Sequence, residues 1–173
     1  LHGRFKTVAT FAVGGEQTGP KLARFTEALK YDDANCIIGP FGIGNNVLVG
    51  RDPASTIADM RAMVEIAMGA GVLMCIQMPP AAGNLDAAKT ANGMVVTEGI
   101  LGIRAQYPQL ELVDEFSVTL DKATGAGKTH YFRQNGGGDA SVHVNHLGST
   151  KTGEAAANVL ATWLGANWDR RVV

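Results

Sequence analysis

The feature that most constrains this chain is a series of short, largely apolar runs, each closed by glycine or proline and separated by segments of helical period. Residues 7–13 end in Gly14-Gly15, residues 35–41 in Gly42-Ile43-Gly44-Asn45-Asn46, and residues 72–78 in Pro79-Pro80. A fourth run, 110–116, leads into a glycine-bearing excursion over 117–138. A strand that is apolar on both faces must be covered on both, which calls for helices above and below a parallel sheet. The intervening segments supply them. Residues 19–31 place Leu22, Phe25, Ala28 and Leu29 on one face. Asp52-Pro53 puts a capping aspartate and a first-turn proline ahead of a stripe of Ile57, Met60, Val64, Ala67 and Met68, stopped by Gly69-Ala70-Gly71. Residues 85–107 predict a long helix, and 149–164 a last one with Ala156, Val159, Leu160, Trp163 and Leu164 facing inward.

The 173 residues suffice for a single domain, 1–173, with a buried core. Net charge is −1 with no lysine or arginine block, so the electrostatic footprint of a nucleic-acid binder is absent. No apolar run approaches the ~18 residues of a membrane span. Cys36 and Cys75 each sit in an apolar run and read as inert core thiols. The opening residues, Leu1-His2-Gly3-Arg4, resemble neither a signal peptide nor a natural initiator end, which suggests a processed or trimmed product.

In a parallel sheet, ligands bind beyond the carboxyl ends of the strands. Gly14-Gly15, the Gly42–Asn46 loop and Pro79-Pro80 all fall at that edge. Asparagine in such a loop is either a turn former or an amide donor to a developing oxyanion. Glycine either makes a turn or lets a backbone amide approach a substrate. His143 follows a glycine-rich loop and precedes a helix, the rigid placement a general base needs. His130 and His146 read as loop or surface histidines, since His-x-x-His without a carboxylate or cysteine cluster is a weak metal signal. Ser141, two residues before His143, would need an unusual backbone to reach it in line and reads as a loop serine. Thr124-Gly125-Ala126-Gly127-Lys128-Thr129 mimics a phosphate-binding loop, but Lys122 stands where glycine is required and no long helix can follow.

Taken in order, these blocks resemble the SGNH (GDSL-type) hydrolases, serine esterases and acylhydrolases with a flavodoxin-like three-layer α/β/α sandwich. Val13-Gly14-Gly15-Glu16-Gln17-Thr18 looks like the family's second block, with Gly15 matching its oxyanion glycine. Gly44-Asn45-Asn46-Val47 looks like the third, Gly-x-Asn-Asp, with Asn46 or, by a one-residue shift, Asn45 as the oxyanion asparagine. His143-Val144-Asn145-His146-Leu147-Gly148 is similar to the fifth block's His-Pro-Asn-x-x-Gly ending. Three positions depart from the pattern. Ala140 stands three residues before His143 where aspartate is expected, with Asp139 one place too far. The aspartate after the third-block asparagine is replaced by Asn46 or Val47. The Gly-Asp-Ser nucleophile block does not occur in the sequence.

The resemblance implies an α/β fold whose first strand-helix unit lies outside these residues, supplied by a missing N-terminal segment or another chain that completes the sheet. It implies carboxylester hydrolysis of a small ester or acetylated glycan, with an external serine as nucleophile. His143 would be the base, Asp139 its orienting group, and Gly15 with Asn46 or Asn45 the oxyanion donors. No metal, organic cofactor, nucleic acid or membrane enters that chemistry. The alternative is a catalytically degenerate SGNH-like glycan-binding module of a larger assembly, for example a phage tail fibre or spike. A further rival is a plain flavodoxin-like domain that binds a phosphorylated ligand.

Overall fold

The structure, a computed structural model, describes residues 9–30, 36–79, 81, 85–124, 126–134 and 140–166. The elements follow one another as α1 (Thr18–Ala23), α2 (Phe25–Ala28), β1 (Cys36–Gly39), α3 (Ile43–Val49), α4 (Pro53–Gly69), β2 (Leu73–Met78) and α5 (Ala87–Gln106). Then come β3 (Glu111–Asp114), α6 (Glu115–Thr119), β4 (Leu120–Asp121), β5 (Ala126–Gly127), a 3-10 turn (Thr129–Tyr131), β6 (Phe132–Gln134), β7 (Ala140–Val144) and α7 (His146–Ala166). The strands β1-β2-β3 form a parallel sheet in sequence order, with Cys36 opposite Leu73 and Cys75 opposite Glu111. Two short antiparallel pairs, β4-β5 and β6-β7, lie outside it.

Side-chain alternation along the strands builds the layers. Met74, Ile76, Met78 and Leu112 join one core with Met60, Met63, Val64 and Ala67 of α4 and Val96, Ile100 and Ile103 of α5. Leu73, Cys75 and Val113 turn to the opposite face and pack on Trp163, with Cys36, Ala156, Val159 and Leu160 around them. Trp163 Nε1 donates to the Gln109 carbonyl at 3.0 Å, so the indole is buried with its polar atom bonded. Burial, then the nearby Cys36 and Glu111, pushes the Cys75 thiol up to about 12, as expected of a core thiol.

Helix starts follow the capping chemistry. Asp52 accepts from Ser55 N at 2.9 Å, Asp86 from Lys89 N at 2.8 Å and Asp114 from Ser117 N at 2.9 Å. The last of these caps ends the strand expected over 110–116 at Asp114, because the chain turns there into α6. The final helix begins at His146 rather than 149 because Asn145 caps it: its Oδ1 accepts from Gly148 N at 3.0 Å.

Two expectations require correction. Residues 9–13 of the first apolar run form no strand. A strand persists only where its backbone is paired, and among the described residues β1 pairs with β2 alone. Ile38, on the same side of β1 as Cys36, is 44% exposed. The helix expected over 19–31 divides at Arg24, whose backbone leaves the helical region (φ −114°, ψ 9°) where its guanidinium turns back onto Glu16.

The excursion after α6 holds no phosphate cradle among its described residues. Lys128 Nζ donates to the Val118 carbonyl at 3.0 Å and lies 5.5 Å from the centre of the Tyr131 ring. A single 3-10 turn follows it in place of a helix. No described helix is long and apolar enough to cross a membrane.

Candidate functional site

The carboxyl edge of the sheet carries two turns pressed against each other. The first is Val13–Glu16, closed by Glu16 N donating to Val13 O at 3.3 Å. Gly15 takes the left-handed conformation (φ +73°) that the third residue of a type II turn requires. Among the described residues the Gly15 N–H donates to no protein acceptor. The turn is clamped by Glu16, whose carboxylate meets Arg24 at 2.6 and 2.7 Å and Lys21 at 2.6 Å with 7% of its side chain exposed. The hydrogen bond from Arg24, then those from Lys21 and both positive charges, outweigh burial and lower the Glu16 carboxyl from 4.5 to about 2. Lys21 and Arg24 also donate to the Phe11 carbonyl at 2.6 and 2.7 Å, fixing the chain that enters the turn.

The second turn, Phe41–Asn46, leaves β1 and starts α3. Gly42 is left-handed (φ +88°), and a Cβ there would stand 2.5 Å from Gln17 C and 2.8 Å from Glu16 O. Only glycine lets the two turns touch. Asn45 Nδ2 donates to Glu16 O at 2.8 Å, so the half-buried Asn45 amide lies against the residue that follows Gly15. Pro79, at the end of β2, closes on Gly44 from the other side, 3.0 Å from where a Cβ would stand.

Asn46 behaves differently from Asn45. It is 1% exposed, and its Nδ2 donates to Thr18 Oγ1 at 2.7 Å and to Thr56 Oγ1 at 2.9 Å. A carboxamide has two N–H donors, so both are committed. Its Oδ1 accepts from Thr18 N at 3.3 Å. Of the two candidate oxyanion asparagines, Asn45 therefore keeps an N–H to offer a ligand.

His143 lies on β7, before the Asn145 cap of α7. Asp139 lies outside the described residues. The residues after His143 are architectural. Asn145 N donates to Tyr131 O and Asn145 Nδ2 to His130 O, each at 2.8 Å, while a Cβ on Gly148 would collide with the Tyr131 carbonyl. His130 is exposed, its ring edge-on to Tyr131 at 4.2 Å between centroids, and His146 is exposed in the first turn of α7. Among the described residues no three His, Cys, Asp or Glu side chains cluster as metal ligands.

Thr18, Arg51, Thr56 and Asp59 surround Asn46, and none of them stands out in the sequence. Thr18 is fully buried and Asp59 stands on the face of α4 beside it. Such residues are common on helices, and their spacing in sequence carries no signal.

No protein-family profile matches the sequence, and no curated protein is significantly similar to it. Solved structures are. A candidate platelet activating factor from Streptococcus pneumonia superposes with a TM-score of 0.71 at 15% identity, covering 90% of this chain and 73% of that one. A candidate acylhydrolase from Bacteroides fragilis gives 0.65 at 17%, over 88% and 72% of the two chains. A GDSL-like lipase from Bacteroides thetaiotaomicron gives 0.65 at 12%, again over 88% and 72%. At such identities the likeness speaks for the architecture. The fold is that of the SGNH (GDSL-type) hydrolases, α/β with a central parallel sheet.

Proposed function

We propose that this chain carries the oxyanion and base portions of an SGNH-type carboxylester hydrolase. The observation that carries the reading is the contact between the two turns: the Asn45 amide bonds the Glu16 carbonyl, one residue after Gly15, whose N–H has no acceptor among the described residues. Donors held rigidly by the backbone need no reorganisation when charge develops on a carbonyl oxygen, and one such donor typically contributes about 3 kcal/mol to the transition state. His143 takes the proton of an attacking serine and returns it to the leaving alcohol, with Asp139 orienting the imidazole. The serine comes from outside these residues, as the sequence has no Gly-Asp-Ser. It arrives on a strand added beside β1, where Ile38 is exposed. The substrate class is an acetylated carbohydrate. Exposed Gly14 and Gly15 and half-buried Gln17 and Asn45 offer a polar mouth that suits a small acyl group on a sugar alcohol.

Hydrolysis of p-nitrophenyl acetate by the chain joined to its upstream sequence, and acetate release from an acetylated glycan, test this reading. Activity is expected in the longer protein only. His143→Ala should lower kcat there by about 10²–10⁴-fold, the usual contribution of a general base. Full activity in that variant, or no hydrolysis by a folded longer protein that still binds glycans, would reject the enzyme in favour of a binding module.

A further inference from the structure

The hydrogen bonds that surround Asn46 follow from its being an amide. An asparagine donates where an aspartate would accept. Thr18 Oγ1 therefore accepts from Asn46 Nδ2 at 2.7 Å and from Arg51 Nη1 at 2.6 Å. With both lone pairs occupied, its single hydrogen must go to another acceptor. That acceptor is Asp59 Oδ2, at 2.5 Å, and Arg51 Nη1 pairs with the same oxygen at 2.6 Å. Thr56 Oγ1 likewise accepts from Asn46 and passes its hydrogen to the Asp52 carbonyl at 3.3 Å. Arg51 N closes the ring by donating to Asn46 O at 2.9 Å. The side-chain donors of Asn46, Thr18 and Thr56 thus each have an acceptor, and among the described residues the carboxylate in these contacts comes from α4.

We propose that Asp59 and Arg51 are positioning residues for the oxyanion donors, in a hydrogen-bond ring whose amide stands at position 46 and whose carboxylate stands at position 59. They act through Thr18, three residues beyond Gly15, and through Asn46, next to Asn45. Neither touches the substrate. The hydrogen-bond ring sets the separation of the two turns, and a shift on the order of 1 Å in a reacting geometry costs about 10²-fold in rate. This inference rests on the assignment of Gly15 and Asn45 as oxyanion donors.

The test exchanges the two side chains in the protein that includes its upstream sequence, with p-nitrophenyl acetate as substrate. Asp59→Ala should lower kcat at least tenfold with KM within twofold, since the binding surface is untouched. Asn46→Asp alone places two carboxylates on one hydroxyl and should lower kcat at least tenfold. Adding Asp59→Asn to Asn46→Asp should restore kcat to within threefold of the parent, which a merely destabilising pair of substitutions would not do. A double variant no better than Asn46→Asp, or an unaltered kcat in folded Asp59→Ala, overturns the proposal. If the parent hydrolyses no ester, the functional reading fails by itself. The positioning role is then read from the NMR signals of the Asn45 side-chain amide, which should shift in Asn46→Asp and return in the double variant. Failure to return refutes it.

Discussion

The two ends of the candidate site are built on opposite plans. At the front, the Val13–Glu16 and Phe41–Asn46 turns are held by side chains of α1 and α4 and by Arg24, between α1 and α2. Glu16 is gripped by Lys21 and Arg24 of the α1–α2 segment, and Asn46 by Thr18, Thr56 and, through Thr18, Asp59. At the back, the histidine block is held by main chain. Asn145 reaches two carbonyls of the 129–131 turn, and Gly148 lies against one of them. The lesson is that the neighbours of the candidate groups do most of the holding. Asn46 serves Asn45, and Asn145 and Gly148 set the β7–α7 junction that follows His143.

The sharpest way to break the front plan is at Gly42. Gly42→Ala combines left-handed strain with a Cβ forced onto the backbone of Gln17, 2.5 Å away, and should cost about 2–4 kcal/mol. Gly50, at the other end of α3, is equally left-handed (φ +71°) but has nothing within 4 Å, so Gly50→Ala should cost only about 1 kcal/mol. Urea denaturation of the two variants measures the difference. Equal losses would mean that the turns do not press on each other as described.

The back plan is tested at Asn145. Removing this cap frees Gly148 N and the His130 carbonyl, and Asn145→Ala should cost about 1 kcal/mol by the same measurement. Asn145→Asp keeps the acceptor for Gly148 N but loses the donor to His130, and should fall between parent and alanine variant. An aspartate variant as unstable as the alanine one would assign the effect to the His130 contact alone.

The contrast also explains what the sequence discloses. The three paired strands, the helices α4 and α5 and the cap at Asp52 follow from apolar runs and local chemistry, and both are periodic or adjacent in sequence. Gly15 and the pair Asn45-Asn46 could be singled out because glycine and amides in a loop after an apolar run are local signals. The choice between Asn45 and Asn46 could not be made that way. It depends on Thr56 and Asp59, contributed by α4, and on Thr18, 28 residues upstream. The failure of 9–13 to form a strand is equally non-local, because a strand is a property of a pair. The shortened run at Asp114 shows the reverse conflict: an apolar stretch continued through Phe116, but the aspartate cap started a helix.

The smallest effect expected at neutral pH becomes visible in acid, at Glu16. Its carboxyl is lowered from 4.5 to about 2, first by the hydrogen bond from Arg24 and further by Lys21. A group whose folded value lies below its unfolded one stabilises the fold fully above the unfolded value and ceases to as pH falls through the folded one. The contribution of Glu16 is therefore complete above about pH 4.5 and should drain away between there and about 2. Glu16→Gln keeps the shape and one acceptor but cannot titrate, so its stability should fall less steeply over that interval than the parent's. The Asn145 variants, altered at the other end of the site, should keep the parent's slope while lying below it. Parallel acid limbs for parent and Glu16→Gln would show that the front turn is not held by charge, and the contrast between the two ends would lose its electrostatic half.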